Sequence, residues 1–147
     1  MKSINQLRDI EARIITLGSY PGIIQAMLDY DYLSGKTTPS ISVIIASGKK
    51  YERYFWGEKE ILIRSYRTIR EVPEQTKKTL NMFVSFASGR RKLDAVKDVI
   101  SEIPSLIAGG IFAEDVPEQH ALEILSLVQR NDLLVMRPAS IGLLIPG

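Results

Sequence analysis

The sequence has no cysteine. Disulfides and thiolate metal sites are therefore excluded, and an intracellular compartment is compatible with the composition. A large excess of either charge is missing too: 19 basic against 17 acidic residues leave a formal charge of +2. That is too little to make nucleic acid or an anionic membrane surface the main partner, so any basic role must be local. No stretch reaches the roughly 18 to 20 apolar residues that a bilayer requires, and Met1 to Asp9 contain no apolar signal region. A soluble, cytoplasmic protein is expected. His120 is the only histidine. No nucleophile-base pair or metal-ligand cluster accompanies it, so it is read as a surface or packing residue, with no metal site and no catalytic group assigned. Internal repeats and low-complexity segments are absent.

What remains is an ordinary globular composition. With 147 residues, 45% of them hydrophobic, the chain fits one domain over residues 1–147, with 1–12 as an N-terminal extension. Short apolar runs alternate with helical patterns, which gives an α/β fold with a mostly parallel sheet. Arg13 to Leu17 reads as a β-branched strand ending at Gly18-Ser19-Tyr20-Pro21-Gly22, after which Ile23, Ile24, Met27 and Leu28 recur at helical spacing. Pro21 suits a first helical position, where its missing N–H would have been unpaired. Ile41 to Ala46 is a second strand, followed by Ser47 to Lys50 and the aromatic run Tyr51 to Trp56, a pattern that reads as a hairpin excursion, with a short strand at Ile61 to Ile63.

Ser65 to Val72 reads as a brief helix stopped by Pro73, and Glu74 to Lys78 as a polar connection. Met82 to Phe86 is a buried strand and Leu93, Val96, Val99 and Ile100 mark an amphipathic helix. A strand within Ser105 to Phe112 is interrupted by Gly109-Gly110. Pro117 opens a helix with Leu122, Leu125, Leu127 and Val128 among its apolar residues, and Leu133 to Met136 is the last strand.

In an open α/β sheet a ligand lies beyond the carboxyl ends of the strands, where helix N-termini offer backbone N–H groups. Three junctions qualify. Gly18, Ser19, Tyr20, Pro21 and Gly22 form the first, whose glycines allow close approach to a phosphate. It lacks a full G-x-G-x-x-G, so a plain turn is an equal reading. The second is Phe86-Ala87-Ser88-Gly89, leading into Arg90, Arg91 and Lys92, which the pattern places in a helix's first turn. Positive charge opposes the helix macrodipole there, and a bound polyanion would relieve the conflict; a solvated basic surface is the alternative. The third, Ala113, Glu114, Asp115 and Val116 before Pro117, sets acids beside a helix N-terminus, where capping alone could explain them, while their place at the same crevice keeps open a contact to pantetheine amides or to a partner's loop. Tyr51, Tyr54, Phe55 and Trp56, and likewise Tyr30 and Tyr32, are read as packing residues rather than a base-stacking platform.

From about Arg13 to Gly147 the chain resembles the CoA-binding domain of ATP-citrate lyase and, more distantly, the first domain of the succinyl-CoA synthetase α subunit. Five ordered blocks carry the likeness: Met27 to Tyr32, Tyr54 to Ile63, Phe86-Ala87-Ser88, Ala113 to Glu118, and Arg137 to Gly147. The resemblance implies a Rossmann-like three-layer domain that cradles coenzyme A, with Phe86, Ala87 and Ser88 against the nucleotide and Ser19 to Gly22 in the crevice. It also implies as partners a histidine-phosphorylated domain and an ATP-grasp domain or subunit, neither of which has a counterpart here. The chain alone is therefore expected to be inactive, and a homo-oligomer stays open. Asp115 and Arg137 stand where the family usually has glycine. Those two substitutions leave a degenerate, non-binding interaction domain as an alternative, and a stand-alone sensor of CoA or NAD is the third.

Overall fold

The computed structural model describes residues 4–112 and 116–135. A short helix, α1 (Ile4–Arg8), precedes β1 (Ile14–Leu17), all four residues of which are buried. Next come α2 (Pro21–Leu33), β2 (Ile41–Ile45), β3 (Tyr51–Trp56) and β4 (Lys59–Tyr66). A 3₁₀ turn at Ile69–Glu71 leads to α3 (Glu74–Thr79), β5 (Met82–Ser85), α4 (Lys92–Glu102), β6 (Ala108–Ile111), α5 (Glu118–Arg130) and β7 (Leu134–Val135). Among the described residues no helix is long and apolar enough to cross a membrane.

The seven strands lie in the order β3-β4-β2-β1-β5-β6-β7, and every pairing is parallel except β3 with β4. Numbered along the chain, the six parallel strands run 3-2-1-4-5-6 across the sheet, the Rossmann order. The expected α/β sheet is therefore observed, but the hairpin is formed by β3 with β4, and β2 pairs with β4 in parallel instead of turning through Ser47 to Lys50 onto β3. The hairpin joins β3 to β4 through Gly57-Glu58, and Gly57 has the positive φ that the first position of a II′ turn requires. An added Cβ at Gly57 would also collide with the ring of Tyr32.

Successive strand residues point to opposite faces, and two core layers result. Ile15, Leu17, Val43 and Phe83 pack with Val96 and Val99 of α4 and Ile124 and Val128 of α5. On the other face Ile14, Ile41, Ile44 and Val84 pack with Ile24 and Leu28 of α2 and with Tyr54 and Ile63 of the hairpin. Gly109 belongs to this packing logic: it lies opposite Phe83 in the sheet, and a Cβ there would overlap the fully buried Phe83 ring. The glycine pair leaves β6 intact. It makes room for an aromatic ring.

Several local expectations are corrected. Ser65 and Tyr66 continue β4, paired with Ile44 and Ile45 of β2, rather than starting a helix. The expected three-residue strand at Ile61 to Ile63 is thus eight residues long. Val72 is extended ahead of Pro73, as steric conflict with the proline ring requires. Glu74 to Thr79 is helical, not a polar connection, because buried Lys77 bridges Glu74 and Glu102, each at 3.1 Å, and ties α3 to α4. In α5 the buried stripe is Ile124 and Val128, whereas Leu122 and Leu125 are exposed.

Candidate functional site

Strand order reverses direction between β1 and β5, so the loops that follow these two strands share one crevice. They are knitted together by the backbone. Gly18 N–H donates to the Ile45 carbonyl at 2.8 Å, Phe86 N–H to that of Leu17 at 2.8 Å, and Phe112 N–H to that of Ser85 at 2.9 Å. Gly18 has a φ of 95°, and a Cβ on it would lie 3.5 Å from that of Phe86, so a glycine suits both the backbone and the close approach. Pro21 opens α2 as expected, with Tyr20 at the preceding position and no side-chain cap.

An aromatic row crosses the crevice. Phe86 lies with ring centroids 5.9 Å from Tyr20 and 5.7 Å from Phe112, the latter pair stacked. The sequence reading named Tyr20 and Phe86 but not Phe112, whose place is set by the strand pairing of β5 with β6. Two of the protein's own rings thus lie against Phe86.

Ser19 faces elsewhere. Its hydroxyl donates to Oε1 of Glu52 at 2.6 Å, and the Tyr54 hydroxyl donates to the same oxygen at 2.9 Å. The other oxygen of Glu52 is shielded from solvent and has no partner among the described residues. Burial, followed by the hydrogen bond to Glu52, pushes the Tyr54 phenol up to about 12. These residues border a cleft of about 610 Å³ that Ser47, Lys49 and Arg53 also line. Sequence reasoning missed Glu52 and Lys49 because β3 drew attention to its aromatics. The available signal was that Glu52 and Tyr54, two apart in a strand, share a face.

The aromatics themselves divide. Tyr54 is buried and Trp56 makes an edge contact to Tyr32 with ring centroids 5.6 Å apart, as packing residues should. Tyr51 and Phe55 are about half exposed, and the guanidinium of Arg64 lies between the rings of Tyr51 and Tyr66 at 4.9 and 4.8 Å.

At the second junction the three basic residues separate. Gly89 to Arg91 form a turn, with the Arg91 N–H donating to the Ser88 carbonyl at 3.0 Å, so Arg90 and Arg91 precede α4 rather than filling its first turn. Ser88 and both arginines are exposed, and Ala87 is half-buried with its N–H directed at the Ser85 hydroxyl 3.4 Å away. Lys92 is the first residue of α4. It is wholly buried, its ammonium has no hydrogen-bond partner among the described residues, and burial pulls its pKa down to about 8.

Ala113, Glu114, Asp115 and Arg137 lie outside the described residues. His120 is half-buried on α5 with Nδ1 unpartnered among the described residues, and no cluster of three or more His, Asp or Glu able to hold a metal occurs among them.

No protein-family model matches the chain. Among known proteins, ATP-citrate synthase subunit 1 of Schizosaccharomyces pombe is 34% identical over 139 residues, which cover 93% of this chain and 22% of the relative. An ATP citrate lyase structure from Methanothrix soehngenii, in complex with citrate and coenzyme A, superposes with a TM-score of 0.83 at 31% identity, covering 91% of this chain and 22% of that one. A variant of the Methanosaeta concilii enzyme in complex with (3S)-citryl-CoA gives 0.81 at 30% identity, with the same coverage of 91% and 22%. The chain therefore spans about a fifth of the length of these proteins. Sequence and fold agree that the chain is related, along nearly its whole length, to one portion of the ATP-citrate lyases.

Proposed function

We propose that residues 1–147 form a single CoA-binding domain of an ATP-citrate lyase-like enzyme. The observation that carries this reading is the strand order, which brings the loops after β1 and β5 together at the crevice, in a chain whose structural relative is described with citrate and coenzyme A bound. The fold places the N-terminus of α2 beside this loop, and Lys49 and Arg53 line the neighbouring cleft. Backbone amides and cations of this kind suit a polyphosphate. Glu52 is the residue that fits a phosphate poorly. Gly18 to Gly22, Phe86 to Ser88, Arg90, Arg91 and the Ala113-Glu114 segment are the proposed contacts.

In this role the chain binds and orients CoA, whose thiol would attack the carbonyl of an acyl or citryl phosphate formed elsewhere, forming the thioester as the acyl C–O bond breaks and inorganic phosphate leaves. Orientation supplies proximity but no phosphoryl carrier, so turnover would require a histidine-phosphorylated domain and an ATP-grasp domain as partners, in the cytoplasm. Calorimetric titration with CoA, dephospho-CoA and NAD tests the reading. Selective affinity for CoA is expected, and preference for NAD would refute it.

A second reading, a non-binding interaction domain of the same fold, is favoured by one feature: Tyr20 and Phe112 flank Phe86, and Glu52 already engages Ser19. Absence of affinity for all three ligands would select it.

A further inference from the structure

Three charged side chains are buried among the described residues: Asp31, Lys77 and Lys92. Asp31 accepts from Lys36 at 2.9 Å, and Lys77 donates to Glu74 and Glu102 at 3.1 Å each. Lys92 alone has no partner. An unpaired ammonium costs stability wherever water is excluded, and a stem needed only for packing could be uncharged. Burial lowers the pKa of this lysine to about 8 with no carboxylate to offset it.

The place of Lys92 suits an arriving anion. It is the first residue of the eleven-residue α4 and shares a fully buried stripe with Val96 and Val99, four and seven positions on. A helical Cα–Cβ bond leans toward the N-terminus, so the side chain of a first residue extends ahead of its helix. Here that direction leads to the loop after β5, with Arg90 and Arg91 exposed in the turn just before the helix. The N-cap residue, Arg91, makes no side-chain capping bond, and the first backbone N–H groups of a helix have no partner within it.

We propose that Lys92 is a phosphate-binding residue of the crevice, whose ammonium and the first N–H groups of α4 together receive a phosphate group of the ligand. The inference rests on reading the crevice as a nucleotide site. The flexible four-carbon stem lets the ammonium advance from beneath the loop to the ligand. Pairing with a phosphate reverses the effect of burial, so Lys92 takes up a proton as the ligand binds.

Calorimetric titration with CoA at pH 8, in buffers of different ionisation enthalpy, counts that proton. Lys92 with a pKa of about 8 is half charged beforehand, so uptake of about half a proton is expected, the phosphates being already ionised at this pH. Lys92→Met should abolish the uptake and weaken CoA about tenfold or more, as loss of a charge-assisted phosphate contact would. Uptake retained with dephospho-CoA assigns the pyrophosphate as the partner, and uptake confined to CoA assigns the 3′-phosphate. Equal CoA affinity in the two proteins, or the same proton count in both, overturns the proposal and leaves the CoA reading standing. If neither nucleotide binds wild type, the CoA reading fails and inorganic phosphate decides for Lys92. Compared with chloride at equal ionic strength, phosphate should raise the melting temperature of wild type more than that of K92M, and equal shifts overturn the proposal. Should K92M fail to fold, Lys92→Gln takes its place under the same criteria.

Discussion

The hydroxyl of Ser19 donates to the carboxylate of Glu52 across 33 residues of sequence, joining the loop after β1 to the edge hairpin. A pair of bonds spanning 30 residues holds α2 itself: the Gln25 side-chain amide donates to the Phe55 carbonyl and accepts from the Phe55 N–H, each at 3.0 Å. The hairpin is therefore fastened both to the loop before α2 and to α2 itself. Its geometry and the loop's geometry are set together.

Tyr54 reports on that fastening. Its phenol is raised from 10.0 to about 12 by burial and then by its hydrogen bond to Glu52. A raised folded value means that the folded state holds the proton more tightly. Stability from this group is thus complete below pH 10 and is lost as pH rises toward 12. Alkaline titration of tyrosinate absorbance should show one of the six tyrosines ionising last, and Tyr54→Phe should remove that phase. A titration unchanged by the substitution would contradict the assignment.

Gly109→Ala should destabilise the fold by about 2 to 3 kcal/mol, the upper part of the range for overpacking a filled core. The new Cβ would meet the Phe83 ring, which is fully buried in the core shared with α4. Denaturant unfolding measures the loss. Adding Phe83→Leu to the variant should recover part of it, because the ring edge responsible for the collision is gone.

The contrast between those two sites explains what the sequence made legible. Ile14 to Leu17, Ile41 to Ile45 and Met82 to Ser85 announce themselves as short apolar runs because each is buried by its own composition. The loops between strand and helix follow from that alternation, so Gly18 and Phe86 could be placed in neighbouring loops, whereas the turn of Ser19 toward Glu52 could not. Helix α3 could not be foreseen in the same way, since it depends on Lys77 reaching Glu102, 25 residues away. The bond from Ser19 to Glu52 was hidden for the same reason, since Ser19 lies in another element, whereas the Tyr54 partner is two residues away in the same strand. Arg90, Arg91 and Lys92 look alike in sequence, and only packing separates two exposed guanidiniums from a buried ammonium.

Under the CoA reading, Arg90→Glu should weaken CoA binding about tenfold or more, the size expected for reversing one charge-assisted phosphate contact. Arg90 is exposed in the turn before α4, so the substitution should leave the melting temperature nearly unchanged. Calorimetry with CoA, paired with thermal unfolding, checks both halves. Unaltered affinity would remove the second junction from the site.

Lys92 makes the sharpest statement about stability. Burial lowers its pKa from 10.5 to about 8, and its ammonium has no hydrogen-bond partner among the described residues. The folded state therefore binds this proton less tightly than the unfolded chain does. Below pH 8 the cost is complete, on the order of 3 kcal/mol for a shift of this size. Between pH 8 and 10.5 it fades, because the unfolded lysine is then the form that still carries the proton. Lys92→Met keeps the unbranched apolar stem and removes the charge. It should stabilise the isolated chain by on the order of 3 kcal/mol at pH 7, with the advantage shrinking as pH approaches 10.5. Denaturant unfolding across that range decides the matter: a methionine variant less stable than wild type at pH 7 would mean that the ammonium has an anionic partner.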